Sequence, residues 1–567
     1  MNIIGIHIGH DSGAALIADG VVKAAVDEER YTRNKHCGDP PVNAINYCMD
    51  SANGKIDIIA VSSDLLGSEM FKFFELNTSK FLSSRYIGRP KITGPRSLLQ
   101  IGKRVSEGMN QLPSYIRTAH KFEDLPLVSV GHHLCHAAAA YYTSGFPDKT
   151  LVITMDGLGD NDSVTVWLSE KGKLQQIHRE GREGSIGWFY SMVTEALGWW
   201  IGDGEGKTMG LAPYGDPAKV PSEILTKYMP RYENGVLVEP YGFGKTSQYK
   251  YATSYHWHFK DTAEVEKEVE KYGNENIAAL AQKLLEEHVV EFVRHWKEKT
   301  GAKRLATGGG IFLNVKVNQK IVEGNLFDDY FIFPCPADNG LAVGAALTAY
   351  YDSVAYEPGK MIRDVYWGPE YSDDHIESIL VERNLSFRKI DDPCTEGAKF
   401  LADGKIVGWF QGRMEHGPRA LGGRSILMSA TRAENKDIIN ARVKFREPFR
   451  PFCPSLKAES ATNYFYVDRP ERYMITAYGV KQEVADQIPA VVHVDGTCRP
   501  QIVEKDIYPR FWKLLDEFEK LSGVPVLLNT SFNIKGEPIV CSPRDALKCF
   551  FDTGLDVLIM GNYLLEK

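Results

Sequence analysis

Apolar and β-branched residues run from Asn2 to Ile8, pause at His10-Asp11-Ser12-Gly13, resume over Ala14–Ile17 and, after Asp19-Gly20, continue over Val21–Val26. Short apolar runs separated by small polar turn residues predict a strand meander. A second strand–turn–strand stands far downstream: Leu151–Met155 enters Asp156-Gly157-Leu158-Gly159-Asp160, and Ser163–Leu168 follows. Two such openings predict an internal duplication. Residues 276–297 read as an amphipathic helix, with Ile277, Leu280, Leu284, Phe292 and Trp296 at helical spacing and Glu286, Glu287 and Glu291 mostly elsewhere. A strand, Arg304–Thr307, then ends in Gly308-Gly309-Gly310.

Between Tyr350 and Asp374 the apolar pattern breaks up around Glu357-Pro358-Gly359 and Gly368-Pro369. That break divides the chain into 1–355 and 356–567. Strands at Ile406–Phe410 and, after Ser522-Gly523, at Val524–Leu528 predict a separate C-terminal α/β domain.

The 567 residues are 43% hydrophobic and 25% charged, an ordinary globular balance that excludes a fibrous or disordered chain. Sixty-six Lys and Arg against 74 Asp and Glu leave a net charge of −8, which argues against nucleic acid as a partner. No run approaches the roughly 20 apolar residues of a membrane helix. The first residues lack the basic and apolar regions of a signal peptide. Nine scattered cysteines without a C-x-x-C pair suit reduced thiols. The expectation is a cytoplasmic enzyme with no membrane association.

Three constellations carry chemistry. In Gly131-His132-His133-Leu134-Cys135-His136, the alanine run that follows predicts a helix, and His132 and His136 at i and i+4 share one face. With Asp156 at a strand end and Asp338 before a small-residue helix, they make a two-His, two-Asp set suited to iron, manganese or zinc. Such a histidine pair also occurs as core or capping residues; Cys135 suits the same face less well. The triple glycine lets a nucleotide approach the backbone, with Asn314 and Asn318 as polar readers, or is a packing turn. Gly204-Glu205-Gly206-Lys207-Thr208 lacks the spacing of a phosphate loop, although Lys207 is available to neutralise a phosphate. Finally, arginines interleave with glycine and proline over Gln411–Ser425, including Arg419 and Arg424. Lys444, Arg446, Arg450, Arg499, Asn529 and Ser531 follow. They fit a pocket for phosphate or carboxylate groups, or a structural ion-pair network, and the sequence ranks none of the arginines above the others.

Together these segments resemble the O-carbamoyltransferases of the nodulation and antibiotic-tailoring type. The carriers are His10-Asp11 with S-G-A-A-L, E-E-R-Y-T-R-N-K-H at 28–36, H-H-L-C-H-A-A at 132–138 and E-G-K-T-M-G-L-A-P-Y-G at 205–215. G-G-G-I-F-L-N-V-K-V-N at 308–318, E-H-G-P-R-A-L-G-G-R-S-I at 415–426, F-R-P-F-C-P-S at 449–455 and N-T-S-F-N at 529–533 complete them. The resemblance spans essentially the whole chain. It implies an α/β protein with an actin-like, duplicated RNase H-like N-terminal domain followed by a YrdC-like domain. The C-terminal site would make carbamoyl-adenylate from carbamoyl phosphate and ATP, with Mg2+ accompanying the ATP. The N-terminal site would pass the carbamoyl group to a hydroxyl of a sugar, aminoglycoside or polyketide.

By the same resemblance His132, His136, Asp156 and Asp338 hold a divalent metal, with iron expected ahead of manganese or zinc. Gly308, Gly309, Gly310 and Asn314 hold the adenylate, and Lys207, Arg419, Arg424, Lys444, Arg450, Arg499, Asn529 and Ser531 the phosphate-bearing substrates. His10, Lys35 and Asp11 are the catalytic set, with His10 the candidate base. The rival readings are a tRNA threonylcarbamoyl-modifying enzyme, disfavoured by the acidic balance, and an actin-like switch or scaffold, which leaves the arginines unexplained. A hydrogenase-maturation carbamoyltransferase expects C-x-x-C zinc motifs, and these are absent. The acceptor and the oligomeric state, a homodimer included, are not legible.

Overall fold

A computed structural model describes residues 1–62, 120, 122, 124–160, 162–233, 235–239, 259, 261–467 and 469–567. The N-terminal meander is the edge of a five-stranded sheet in the order Val21–Asp27, Gly13–Ala18, Asn2–His7, Ile58–Ser62, Leu127–Val130. The first three strands are antiparallel and the last two join Asn2–His7 in parallel. The downstream sheet repeats both order and directions: Lys173–Gly181, Asp162–Glu170, Thr150–Gly159, Arg304–Gly308, Asp329–Ile332. The duplication anticipated from two strand–turn–strand openings is therefore a duplication of whole sheets.

After its last strand each sheet leads into a helix rich in small residues, His132–Ser144 and Leu341–Ser353, the first almost wholly buried and the second buried over Leu341–Ala349. Their backbones approach so closely that a Cβ on Gly344 would stand 1.9 Å from the Cys135 carbonyl oxygen. The predicted amphipathic helix spans Asn274–Thr300 and ends on Gly301 in the left-handed conformation, the usual stop for a helix. Its apolar face, Ile277, Leu280, Leu284, Phe292 and Trp296, is buried.

The C-terminal sheet has eight strands in the order Arg388–Lys389, Tyr563–Glu566, Val557–Met560, Val407–Phe410, Arg424–Ser429, Val526–Ser531, Cys453–Lys457, Gln501–Val503. Pro393–Ala402 and Pro509–Ser522 cover one face, and Asp373–Glu382 and Pro543–Asp552 the other. Strands buried on both sides lack simple alternation, which is why only the strongest runs were readable.

The two units share one apolar core. Leu421, Cys453, Tyr473, Met474 and Ile475 pack into the N-terminal cluster, as do Val365 and Trp367 of the connecting segment. Asn318, fully buried, donates to the carbonyls of Phe312 and Ile475 at 2.8 and 2.7 Å. Arg30 donates to the Gly417 carbonyl at 2.9 Å, and Arg413 to the Lys23 and Trp367 carbonyls at 2.8 and 2.7 Å. Among the described residues no helix is long and apolar enough to cross a membrane.

Candidate active site

The two-fold repetition of the fold assembles the first cluster. His132 and His136 occupy the first turns of one repeat's helix. Asp156 lies on the Thr150–Gly159 strand, and Asp338 opens the short turn that leads into Leu341–Ser353. One ligand atom from each of the four lies within 4.8 Å of all the others. The two Nε2 atoms face each other at 3.0 Å; Asp156 Oδ2 is 3.1 Å and Asp338 Oδ1 3.6 Å from His136 Nε2. Opposed imidazole nitrogens with two carboxylates behind them form a concave donor set. Burial lowers the affinity of His132 for a proton, but Asp338 and Asp156 outweigh it and push the imidazole up to about 9. Such a pocket favours positive charge, and its two nitrogens and two oxygens fit a divalent cation.

Glycine makes the pocket possible. A Cβ on Gly159 would fall 2.1 Å from the His132 ring, and one on Gly310 3.0 Å from Asp156 Oδ1. Gly308 and Gly309 lie against the backbones of His136 and Met155, and Gly309 has φ +99°. The triple glycine thus seats the His132–Ser144 helix on its sheet. Asn314 caps Val315–Glu323, accepting from Lys316 and Val317, and exchanges two hydrogen bonds with Gln282. The other histidine of the run, His133, bonds Thr154 Oγ1 at 2.7 Å and the Asp162 carbonyl at 2.8 Å. Burial, helped by His132 and His136, pushes it down to about 3, so it is a neutral structural residue.

Beside this pocket His10 and Asp11 lie in the turn between the first two strands. His10 Nδ1 is 2.9 Å from Asp11 Oδ2, and its ring is half exposed. Lys35 is bound to Asp203. Two residues here were not singled out from sequence: His36, whose Nδ1 is 2.8 Å from Asp11 Oδ1, and Asp203 itself. Their only sequence signals are the polar run ending in Lys35-His36 and an aspartate between Gly202 and Gly204.

The C-terminal cluster is cationic and crowded. Burial, then the neighbouring Arg499 and Arg450, push Arg419 down to about 9; burial and Arg450 do the same to Arg446. The buried Arg419 Nε has no hydrogen-bond partner. Arg499 donates through Nε and Nη2 to Cys453 Sγ at 3.1 and 2.9 Å. Lys444 is buried among oxygens of Ser531 and Asn533, and burial holds it well below its ordinary value. Asn529 donates to the Ala420 carbonyl, Ser455 and Gln501, while its Oδ1 is buried without a partner. Guanidinium groups that repel one another, with Glu447 at 3.9 Å from Arg450 the carboxylate among them, leave an excess of positive charge suited to an anion.

Arg424 does not belong to this cluster. It is fully buried, lies over the Phe410 ring at 3.7 Å and donates to five carbonyls, those of Pro369, Gln411, Gly412, Gly423 and Cys541. Its charge organises the loop that carries Arg419. The anion cluster meets the N-terminal site along the Glu205–Leu211 helix. Lys207 Nζ is 3.9 Å from Glu447, Gly210 lies against Phe449, and Arg450 feels the charge of Asp203.

A duplicated α/β unit with a His2Asp2 cluster, fused through one core to a unit with a buried cationic pocket, is the outline of a group-transfer enzyme acting on anionic substrates. Residues 2–347 match the model of the carbamoyltransferase N-terminus, and 398–567 that of the carbamoyltransferase C-terminus. The chain belongs to the carbamoyltransferase family and is a transferase. It is 35% identical to nodulation protein NolNO of Sinorhizobium fredii over 98% of this chain and 79% of that protein. Nodulation protein NolO of Bradyrhizobium diazoefficiens is also 35% identical, over 77% of this chain and 79% of its own. An uncharacterised Synechocystis protein is 33% identical, over 98% and 95%. Among solved structures, the Clostridium difficile 2-hydroxyisocaproyl-CoA dehydratase activator with ADPNP is 13% identical at a TM-score of 0.32, covering 62% of this chain and 95% of that one. Full-length HypF in its phosphate- and nucleotide-bound form is 12% identical at 0.31, over 63% and 56%.

Proposed function

We propose that this carbamoyltransferase is ATP-dependent. In the C-terminal unit, carbamoyl phosphate, ATP and water would give carbamoyl-adenylate, phosphate and pyrophosphate. In the N-terminal unit the carbamoyl group would pass to a hydroxyl of a sugar or another small molecule. On this reading the division near 355 separates a YrdC-like adenylating unit from an actin-like transfer unit. The observation that carries it is the junction at Lys207, Glu447 and Arg450, where the anion cluster abuts the Gly202–Gly204 loop, whose Asp203 binds Lys35. An intermediate labile in water would have little distance to cover between the two.

Arg419, Arg450 and Arg499 bind and orient the phosphates of both substrates, and Arg419 Nε and Asn529 Oδ1 are buried beside them with their hydrogen-bonding capacity unspent. Lys444 holds the Ser531–Asn533 turn in shape behind them. In transfer, Asp11 keeps His10 oriented through Nδ1, leaving Nε2 to take the proton from the acceptor hydroxyl. The acceptor oxygen bonds to the carbamoyl carbon, the bond from that carbon to the adenylate oxygen breaks, and AMP leaves. His132, His136, Asp156 and Asp338 would hold the divalent metal, iron by family expectation, which supplies Lewis-acid stabilisation of the charge that develops on transfer. The Gly308–Gly310 turn and Asn314 would border the adenylate.

The test omits any acceptor. The full chain is incubated with ATP and carbamoyl phosphate while pyrophosphate is assayed and carbamoyl-adenylate is sought by mass spectrometry. Both should form. Untouched ATP with metal added and carbamoyl phosphate intact would overturn the proposal.

A further inference from the structure

Asp11 is shared. Its Oδ2 faces His10 Nδ1 at 2.9 Å and its Oδ1 faces His36 Nδ1 at 2.8 Å, while the two rings stack with centroids 4.8 Å apart and planes 18° from parallel. Asp11 and His36 both have left-handed backbones, φ 61° and 57°. Such conformations persist at non-glycine residues when the surroundings over-determine them. Here Ser12 donates from N and Oγ to the Cys37 carbonyl at 2.9 and 3.1 Å, tying the two turns together, and His36 N donates to Glu29 Oε2 at 2.8 Å. Because each oxygen takes one imidazole, both Nε2 atoms point away from Asp11. That of His10 belongs to a half-exposed ring; that of His36 is buried without a hydrogen bond, 3.6 Å from Asp203 Oδ1.

We infer that His36 is a positioning residue of the transfer site, which locks Asp11 for His10 and, through the shared carboxylate, sets how readily His10 takes up a proton. The inference rests on the reading of His10 as base. His36 lies between the carboxylates of Asp11 and Asp203. Burial opposes its charging, but they push it up to about 10, so it is an imidazolium at neutral pH. For His10, burial also opposes the charge, and Asp11 prevails and raises it. The like charge on His36 works against that rise. The other charged groups facing the pair are Lys35 and Glu29 from the 28–36 segment, Asp203 from the Gly202–Gly204 loop, and Asp338 from the opposite repeat. Asp27 lies behind Asp11, and neutral His7 bonds the His10 carbonyl at 2.9 Å. With His36 charged, a larger share of His10 stays neutral at a given pH and able to accept the hydroxyl proton.

The experiment follows 15N-labelled histidine side chains of the full-length chain by NMR through a pH titration, with His10→Gln identifying the His10 signal. His36→Asn keeps a donor where Nδ1 stands but carries no charge; His36→Gln puts its amide at the Nε2 position instead. In both, the His10 midpoint should move up by roughly one pH unit, a change of about 1.4 kcal/mol in proton affinity. The acid limb of carbamoyl transfer should move up with it, and above that limb His36→Asn should recover more of the rate than His36→Gln. A merely structural role would lower the rate without moving the midpoint. An unmoved His10 midpoint in both variants overturns the inference. Transfer at the wild-type rate in His10→Gln would instead overturn the base assignment, whatever the titration shows.

Discussion

Arg419, in a glycine-rich loop, and Arg424, five residues on at the start of the following strand, do opposite work. Arg424 is saturated by carbonyls, so removing its guanidinium leaves several buried acceptors unsatisfied, at about 1–3 kcal/mol each. Arg424→Met should therefore lower the thermal midpoint strongly. Arg419→Ala should leave that midpoint nearly unchanged while raising the KM for carbamoyl phosphate roughly 10–100-fold, the range for hydrogen bonds to charged groups. If Arg419→Ala instead melts early with an unchanged KM, the anion-site reading of this loop is wrong. At the two-histidine, two-aspartate cluster, His136→Ala should abolish retention of a divalent ion through dialysis, measured by elemental analysis. That loss should exceed the roughly 10–100-fold that follows from deleting a group merely hydrogen-bonded to a ligand. Glu471 offers a pH test. It is buried at the junction of the units, and burial pushes its carboxyl up to about 7 although it accepts from Tyr473 and Ile475 amides. The folded state thus holds this proton better than the unfolded chain, whose carboxyl titrates near pH ~4.3. Its contribution to stability is full below that value and is lost as pH rises through about 7. Glu471→Gln should be no more stable than wild type at pH 5 and gain on it at pH 8. Residue types and spacings were enough to nominate Arg419, Arg424 and His136 but not Glu471, whose burial depends on the packing of the two units. Which arginine is saturated by carbonyls and which is buried with an unpartnered Nε depends on chain segments far away in sequence, such as Pro369 and Cys541 around Arg424.

At the scale of elements, the long-period features were legible and the irregular ones were not. The 274–300 helix follows from periodicity because one of its faces is buried and another is not, whereas the meander strands, buried on both faces, show as apolar runs cut by turn residues. The eight-stranded sheet is covered on both faces, so periodicity identifies few of its strands. The His132–Ser144 and Leu341–Ser353 helices are nearly uniformly apolar, and their small residues carry a message that periodicity does not express. Gly344 is needed because its neighbour's backbone is there. Gly344→Ala would force the helices apart at a cost of about 1–3 kcal/mol. Since Asp338 leads into one helix and His132 and His136 begin the other, the variant should also bind divalent metal more weakly. Paired thermal melts and metal titrations check this. Weakened stability with undiminished metal affinity would mean that the helix contact does not set the ligand geometry.

For the whole molecule, the division at a glycine- and proline-marked break suggested two independent domains. Their sheets are indeed separate, yet Leu421, Tyr473, Met474 and Ile475 complete the N-terminal core. Domains within a chain usually meet through modest polar interfaces and move relative to each other. Here calorimetry of the full chain should give one cooperative transition, and Asn318→Ala, which removes the donor bridging the Phe312 and Ile475 carbonyls, should lower it without splitting it. Two resolved transitions in the wild-type protein would contradict a common core.

That common core also limits what recombination can do with such a chain. A gene cut in the linker and joined to a relative's second half would bring in a foreign counterpart of the 473–475 segment that lodges among the first half's apolar residues. A viable hybrid must keep that segment and its N-terminal bed from the same parent. The halves therefore behave as one unit on exchange, and a hybrid that seats a foreign 473–475 segment in this N-terminal bed should melt below both parents.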